Sequence, residues 1–184
     1  RHPLRKEIFY FVRLQKEEKW YKAHFPDNKI KKRKGLITGE ASTAYLFFDK
    51  CSERIQKSLP NVKLIATLRN PVDRAYSHYN MYFNNFKKEE RDFEEAIEKE
   101  NKEIAEEKPE DYKEKELRRY KEMGKYAEQL KRYFKYFNKD QILILSFEEL
   151  KKNPQKEINK VFDFLGLERE KIRDIGTKNK GKYK

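Results

Sequence analysis

The stretch KLIATLRNPVDRAYSHY, Lys63 to Tyr79, decides the fold. Val62 to Leu68 is nearly continuous apolar sequence in which only Lys63 and Thr67 are polar, the pattern of a central parallel strand covered on both faces. The run breaks at Arg69-Asn70-Pro71. Proline fits the first turn of a helix, where its missing N–H costs nothing, and Asp73 then stands near the positive end of the helix dipole. Ala75, Tyr79, Tyr82 and Phe86 recur at i, i+4, i+7 and i+11, which predicts one buried stripe along that helix.

Working outward, Gln141 to Ser146 contains a second apolar run, Ile142-Leu143-Ile144-Leu145, followed by helical patterns over Phe147 to Lys152 and Pro154 to Leu165. Strand, helix, strand, helix predicts an α/β domain with a central parallel sheet flanked by helices. Towards the N-terminus, Ile8-Phe9-Tyr10-Phe11 and Leu36-Ile37-Thr38-Gly39 read as short strands. Leu14 to Phe25 reads as a helix stopped by Pro26, and a helical stretch beyond Glu40-Ala41-Ser42-Thr43 runs to about Leu59, before a turn at Pro60-Asn61. A mostly helical, highly charged section at about residues 87–137 has the character of an insertion or outer layer. One domain over residues 1–184 is the expectation from length.

Composition narrows the classes of function. Charged residues make up 42% of the chain, yet 13 Phe and 12 Tyr sit in periodic blocks, so the sequence predicts a folded protein. The 45 Lys and Arg against 32 Asp and Glu leave a formal charge of +13, which favours an anionic partner, although alternating Lys and Glu also describe an ordinary solvated surface. Cys51 is the sole cysteine and His2, His24 and His78 the only histidines, so neither a disulfide within the chain nor a metal centre is expected. The cysteine count suits a reducing, cytoplasmic setting, with a prokaryotic source expected and an upstream anchor or targeting segment left open. No apolar run approaches the roughly 18 residues of a membrane span.

Arg69 falls where ligands of open α/β sheets collect, beyond the carboxyl end of a strand and beside a helix N-terminus. Its planar guanidinium matches two oxygens of a phosphate, and Ser77, two turns into the helix, is able to converge on the same anion. A structural ion pair is the alternative role for Arg69.

LRNPVDRAYSHY resembles the 3′-phosphate-binding motif of sulfotransferases that use 3′-phosphoadenosine 5′-phosphosulfate (PAPS), especially those acting on glycans such as heparan sulfate. Further likenesses are KEIFYF (6–11) to the family's KE-x-x-FF segment, WYKAHFP (20–26) to its WY…FP helix, GEASTAY (39–45) to its acidic turn, and GKYAEQLKRYF through FLGL to later helices. The resemblance implies a P-loop NTPase-like sulfotransferase fold, PAPS as donor, 3′-phosphoadenosine 5′-phosphate (PAP) as product, and no metal. It assigns the 3′-phosphate to Arg69 and Ser77, and the general base to Glu7. The terminal GTKNKGKYK resembles the family's basic cofactor loop and implicates Lys180, Gly181 and Lys182. A carbohydrate hydroxyl or amine is the implied acceptor, with Trp20 a candidate to stack on it.

Read without the family, Glu7 is an exposed charge at a strand start, Trp20 a core residue, and the terminal lysines a basic tail. The basic run Lys29 to Lys34 reads as a surface loop. The family's lysine-bearing phosphosulfate loop belongs upstream of Arg1, and a final helix belongs after the cofactor loop; the chain is therefore expected to be truncated at both ends and inactive without the upstream loop. Ala41 stands where some glycan-acting relatives carry lysine. Two other classes remain: a non-catalytic basic module for a polyanion, resting on charge alone, and a sulfotransferase-like protein without activity. Nucleic acid is not an expected partner, because no recognised binding signature is present. The oligomeric state is left open.

Overall fold

The computed structural model describes residues 7–13, 16–27, 36–106 and 118–173. The chain packs as two compact units, residues 1–60 and 61–184.

The first unit is aromatic and helical. It contains α1 (Tyr10–Arg13), α2 (Glu18–Lys22), a 3-10 turn (Thr43–Leu46) and α3 (Asp49–Ser58). Phe11 lies at its centre, 1% exposed, with the rings of Tyr10, Tyr21 and Tyr45 meeting it edge-on at 5.0, 5.1 and 5.5 Å. Such pairs contribute about 0.5–1.5 kcal/mol each beyond their buried area. As a single turn, α1 cannot satisfy its own last carbonyls. The Arg54 guanidinium, reaching over from α3, donates to the carbonyls of Phe11 and Val12 at 2.8 Å each.

Three expectations fail here, and a fourth holds only in part. The predicted strand Ile8–Phe11 becomes a left-handed approach to α1, because Glu7 (φ 60°) and Phe9 (φ 55°) adopt a conformation no strand tolerates. The Phe9 N–H, instead of joining a ladder, donates to Ser42 Oγ at 3.3 Å. Leu36–Gly39 is irregular rather than a strand, and Leu36 and Ile37 remain exposed. The helix predicted to run to Leu59 is divided at Phe47-Phe48 into the 3-10 turn and α3. Of the helix predicted over Leu14 to Phe25, Leu14 and Gln15 lie outside the described residues, Lys16 and Glu17 are not helical, and Glu18–Lys22 is helical, with a turn carrying the chain on to Phe25.

The second unit follows its sequence more closely. In order come β1 (Leu64–Leu68), α4 (Pro71–Asn80), a π-helical turn (Met81–Asn85), α5 (Phe93–Glu106), a 3-10 turn (Glu122–Gly124), α6 (Tyr126–Phe134), a 3-10 turn (Lys139–Gln141), β2 (Ile142–Ser146), α7 (Phe147–Lys152) and α8 (Pro154–Leu165). Strands β1 and β2 pair in parallel, from Leu64 opposite Ile142 to Leu68 opposite Ser146. They therefore end level, and Arg69 and Phe147 leave the small, helix-flanked sheet side by side. Among the described residues the sheet has two strands, and Ile65 is 42% exposed, so β1 is not covered on both faces as its apolar run predicted.

The core beside α4 contains Ala75, Tyr79, Tyr82, Ala96 and Tyr120, with Met81, Phe93 and Ile97 packed against it. The predicted stripe holds through Tyr82 and then fails: Phe86 is 53% exposed. In the π turn the Phe86 N–H bonds to the Met81 carbonyl at 3.0 Å, five residues back, and the wider turn rotates Phe86 off the buried face.

The charged middle section is also more than an outer layer. Tyr120 is 1% exposed and Glu100 3%. The Glu100 carboxylate accepts from the Lys121 N–H at 2.8 Å and the Glu122 N–H at 2.9 Å, capping the 3-10 turn that carries Gly124. Gly124 lies so close to Pro71 that a β-carbon there would meet the proline Cβ at 3.1 Å. A buried acid from α5 thus fixes the turn that supports the start of α4.

Candidate functional site

The chain leaves β1 at Arg69 and turns through Asn70 into α4. The Asn70 side chain accepts from the N–H groups of Val72 (3.0 Å) and Asp73 (3.3 Å), and Pro71 follows at the first helical position, so local sequence alone starts the helix here. At the end of β2, Ser146 Oγ accepts from the Glu149 N–H at 3.3 Å and starts α7 in the same way.

A cleft of about 380 Å³ opens at these strand ends, lined by Arg69, Asp73, Phe147, Glu148, Lys151 and Lys152. The Arg69 guanidinium lies over the Phe147 ring, 5.3 Å from its centroid. Glu148 spans the strand ends: Oε1 accepts from the Asn70 backbone N–H at 2.8 Å and Oε2 from the Ser146 hydroxyl at 2.9 Å. The Asn70 N–H, then its own backbone N–H and the Ser146 hydroxyl, hold the Glu148 carboxyl below its ordinary range. Three cationic side chains face two acidic ones in the lining, so the cleft is net positive and suits a small anion.

Ser77 stands on α4 four residues after Asp73, hence on the same face, about 6 Å further along the axis. It is half-buried and is not among the residues lining the cleft. Behind this helix, the Arg74 guanidinium reaches the Tyr120 carbonyl and approaches His78 Nδ1 at 3.3 Å. Burial, and then the Arg74 charge, push His78 down to about 4. At neutral pH its ring is therefore uncharged, packed edge-on to Tyr82 and Tyr120 at 5.3 Å each. Tyr126, at the start of α6, is pushed up by burial, against the charge of Arg74 and a backbone hydrogen bond from Arg69.

In the first unit, Glu7 holds its left-handed backbone while Oε2 accepts from both the N–H and the hydroxyl of Thr43, at 3.3 Å each. A non-glycine residue in this conformation costs on the order of 1–3 kcal/mol and draws attention to the site. Glu40 organises the turn that carries Thr43: Oε1 accepts from the hydroxyls of Tyr21 (3.0 Å) and Tyr45 (2.9 Å), and Oε2 from Ser42 (3.0 Å). Burial first, and then the Glu40 charge, raise both tyrosines above the ordinary phenol value. Trp20 is half-buried rather than core, edge-on to His24 at 4.4 Å, while its neighbour Tyr21 is the buried residue of α2.

Lys180, Gly181 and Lys182 lie outside the described residues, as does the basic run Lys29 to Lys34. Among the described residues, no group of three or more His, Cys, Asp and Glu side chains is placed to hold a metal ion, and no helix is long and apolar enough to cross a membrane. Sequence reading passed over Thr43, Phe147 and Glu148. For the last two a signal existed: Ser146-Phe147-Glu148-Glu149 has the S-x-x-E form of a helix start, immediately after an apolar strand.

The α/β fold and the arginine-bearing strand end meet in a sulfotransferase domain, and a model of the sulfotransferase domain family matches residues 50–179. The chain belongs to that family. Human heparan sulfate glucosamine 3-O-sulfotransferase 6 is 30% identical over 156 residues, covering 82% of this chain and 40% of the relative. Human carbohydrate sulfotransferase 15 is 32% identical over 162 residues, covering 72% of this chain and 28% of the relative. The crystal structure of a sulfotransferase from Alicyclobacillus acidocaldarius superposes with a TM-score of 0.72 at 29% identity, covering 97% of this chain and 75% of that one. The chain spans about two fifths of the length of the first of these curated relatives, and less of the second. The family match contains Arg69, Ser77 and the cleft; Glu7 and Trp20 precede it.

Proposed function

We propose that this protein transfers a sulfuryl group from PAPS to a hydroxyl or amine of a carbohydrate acceptor. The observation that carries the reading is the position of Arg69, at the level carboxyl ends of two parallel strands in a net positive cleft beside a capped helix start. A phosphate-bearing nucleotide fits that chemistry: a guanidinium fork takes phosphate oxygens in pairs, and Lys151 and Lys152 raise the local attraction for anions.

When bound, PAPS would supply the sulfuryl group and a phosphate leaving group. Arg69 and, on the family resemblance, Ser77 would hold its 3′-phosphate. Glu7 would accept the proton that the acceptor hydroxyl or amine loses as it attacks sulfur. Thr43 holds the Glu7 carboxylate in one orientation, with Glu40 fixing the turn behind it. On the family resemblance, Lys180, Gly181 and Lys182 would contribute to nucleotide binding, and Trp20 would offer a face to the sugar. Positioning and fixed positive charge supply most of the catalysis of an in-line transfer of this kind.

The test is calorimetric titration of the full-length protein with PAP and with AMP, followed by transfer of labelled sulfate from PAPS to glycan acceptors. Selective binding of PAP with transfer to a glycan is the expected result. Equal binding of PAP and AMP overturns the reading in favour of a basic anion-binding module.

A further inference from the structure

We propose that Glu148 is a positioning residue for Arg69, acting as a brace between the two strand ends, and that it sets the selectivity of the cleft for a 3′-phosphate. The inference rests on the donor reading above and adds a residue to it.

Glu148 is exposed, acidic, and stands in a cleft read as an anion site, where its charge alone would weaken phosphate binding. Its geometry offers another role. Oε1 accepts from the Asn70 N–H at 2.8 Å, the peptide immediately following Arg69, while Oε2 is fixed by the Ser146 hydroxyl at 2.9 Å. Ser146 is also the residue paired with Leu68, the last of β1. The Glu148 carboxylate, 78 residues from Asn70 in sequence, therefore ties the peptide that follows Arg69 to the last residue of β2.

This peptide orients Arg69. Its Cα–Cβ direction follows from the backbone at the strand end, and with that backbone held, the guanidinium reaches over Phe147 at the mouth of the cleft. Without the brace, Asn70 still caps α4 through its side chain, so the helix persists while the strand-to-helix turn gains freedom. The loss falls on the direction of Arg69. A bidentate contact feels such a change more than a general electrostatic attraction does.

Two conservative changes separate brace from charge. Glu148→Gln keeps an acceptor for the Asn70 N–H and an amide able to donate to Ser146, but removes the charge. Glu148→Asp keeps the charge but is one methylene too short to span both partners. Affinities for PAP and AMP are measured by calorimetry on the full-length protein, with thermal unfolding as a check on folding. Glu148→Asp and Glu148→Ala are expected to weaken PAP about tenfold, the scale of one charge-assisted hydrogen bond, and AMP by no more than about twofold. Glu148→Gln is expected to retain the wild-type preference. Wild-type preference in Glu148→Asp, or its loss in Glu148→Gln, overturns the brace while leaving the donor reading intact. No preference for PAP in the wild type overturns both.

Discussion

Glu7 Oε2 accepts two hydrogen bonds from one residue, the N–H and the hydroxyl of Thr43, each at 3.3 Å. The two residues are 36 apart in sequence, and the left-handed backbone at Glu7 turns the carboxylate towards that partner. Thr43→Val removes one donor and keeps the shape. With a net hydrogen bond contributing about 1 kcal/mol, kcat for sulfate transfer is expected to fall roughly fivefold, with PAP affinity unchanged and Thr43→Ser restoring the rate. Steady-state kinetics on the full-length protein would measure it; a change confined to donor affinity would refute the role.

Glu7→Gln tests the base itself. Loss of a general base lowers rates by about 10²–10⁴, so transfer should nearly vanish while PAP still binds. Undiminished turnover would require another base.

Arg69 and Ser77 are expected to discriminate PAP from AMP. Arg69→Ala should weaken PAP by about 10- to 100-fold, in line with the roughly 1.5–3 kcal/mol of hydrogen bonds to charged groups, and Ser77→Ala by less, with AMP little affected by either. Calorimetric titration of both ligands decides it. Equal losses for the two would make Arg69 a structural residue of the strand end.

His78 predicts a pH dependence of stability. In the unfolded chain it protonates near its ordinary 6.5, whereas in the fold burial and Arg74 delay protonation to about 4. Between these values the unfolded state binds more protons, so this contribution is complete above about pH 6.5 and is lost as pH falls towards 4. On that basis the wild type should lose about 2 kcal/mol more than His78→Gln between pH 7 and pH 5. Urea unfolding at both pH values provides the comparison, and parallel losses would exclude His78 as the source.

Gly124→Ala tests the support beneath α4. The added methyl would sit 3.1 Å from Pro71 Cβ, and the proline ring has no rotamer by which to retreat. Overpacking of this kind costs about 1–3 kcal/mol, and the displaced start of α4 should also weaken PAP. Unchanged stability and affinity would mean that the turn at Glu122–Gly124 yields without consequence.

Elements marked by their own residues are legible in the chain itself. Pro71, Pro154, and the two apolar runs of the sheet each announce themselves within a few positions, and all four appear where expected. Resemblance of LRNPVDRAYSHY and its companions to sulfotransferase motifs carried the family. Apolar pattern misled where backbone or neighbours overrode it. Aromatic Ile8–Phe11 reads as strand, but its side chains cluster with Tyr21 and Tyr45 around a turn entered through two left-handed residues. Phe86 keeps its helical spacing, yet a π turn carries it to the surface.

Order along the chain was thus enough for the two strands of the sheet, the helix starts at Pro71, Phe147 and Pro154, and the family, because capping, proline placement and hydrophobic runs act through neighbouring residues. Which distant groups share a hydrogen bond was settled by packing in three dimensions. The pairing of Glu148 with Asn70, Glu7 with Thr43, and Glu100 with Lys121 and Glu122 has no local signature. Each depends on two segments being packed until a carboxylate and a backbone N–H come within about 3 Å, a distance set by the fold rather than by spacing along the chain.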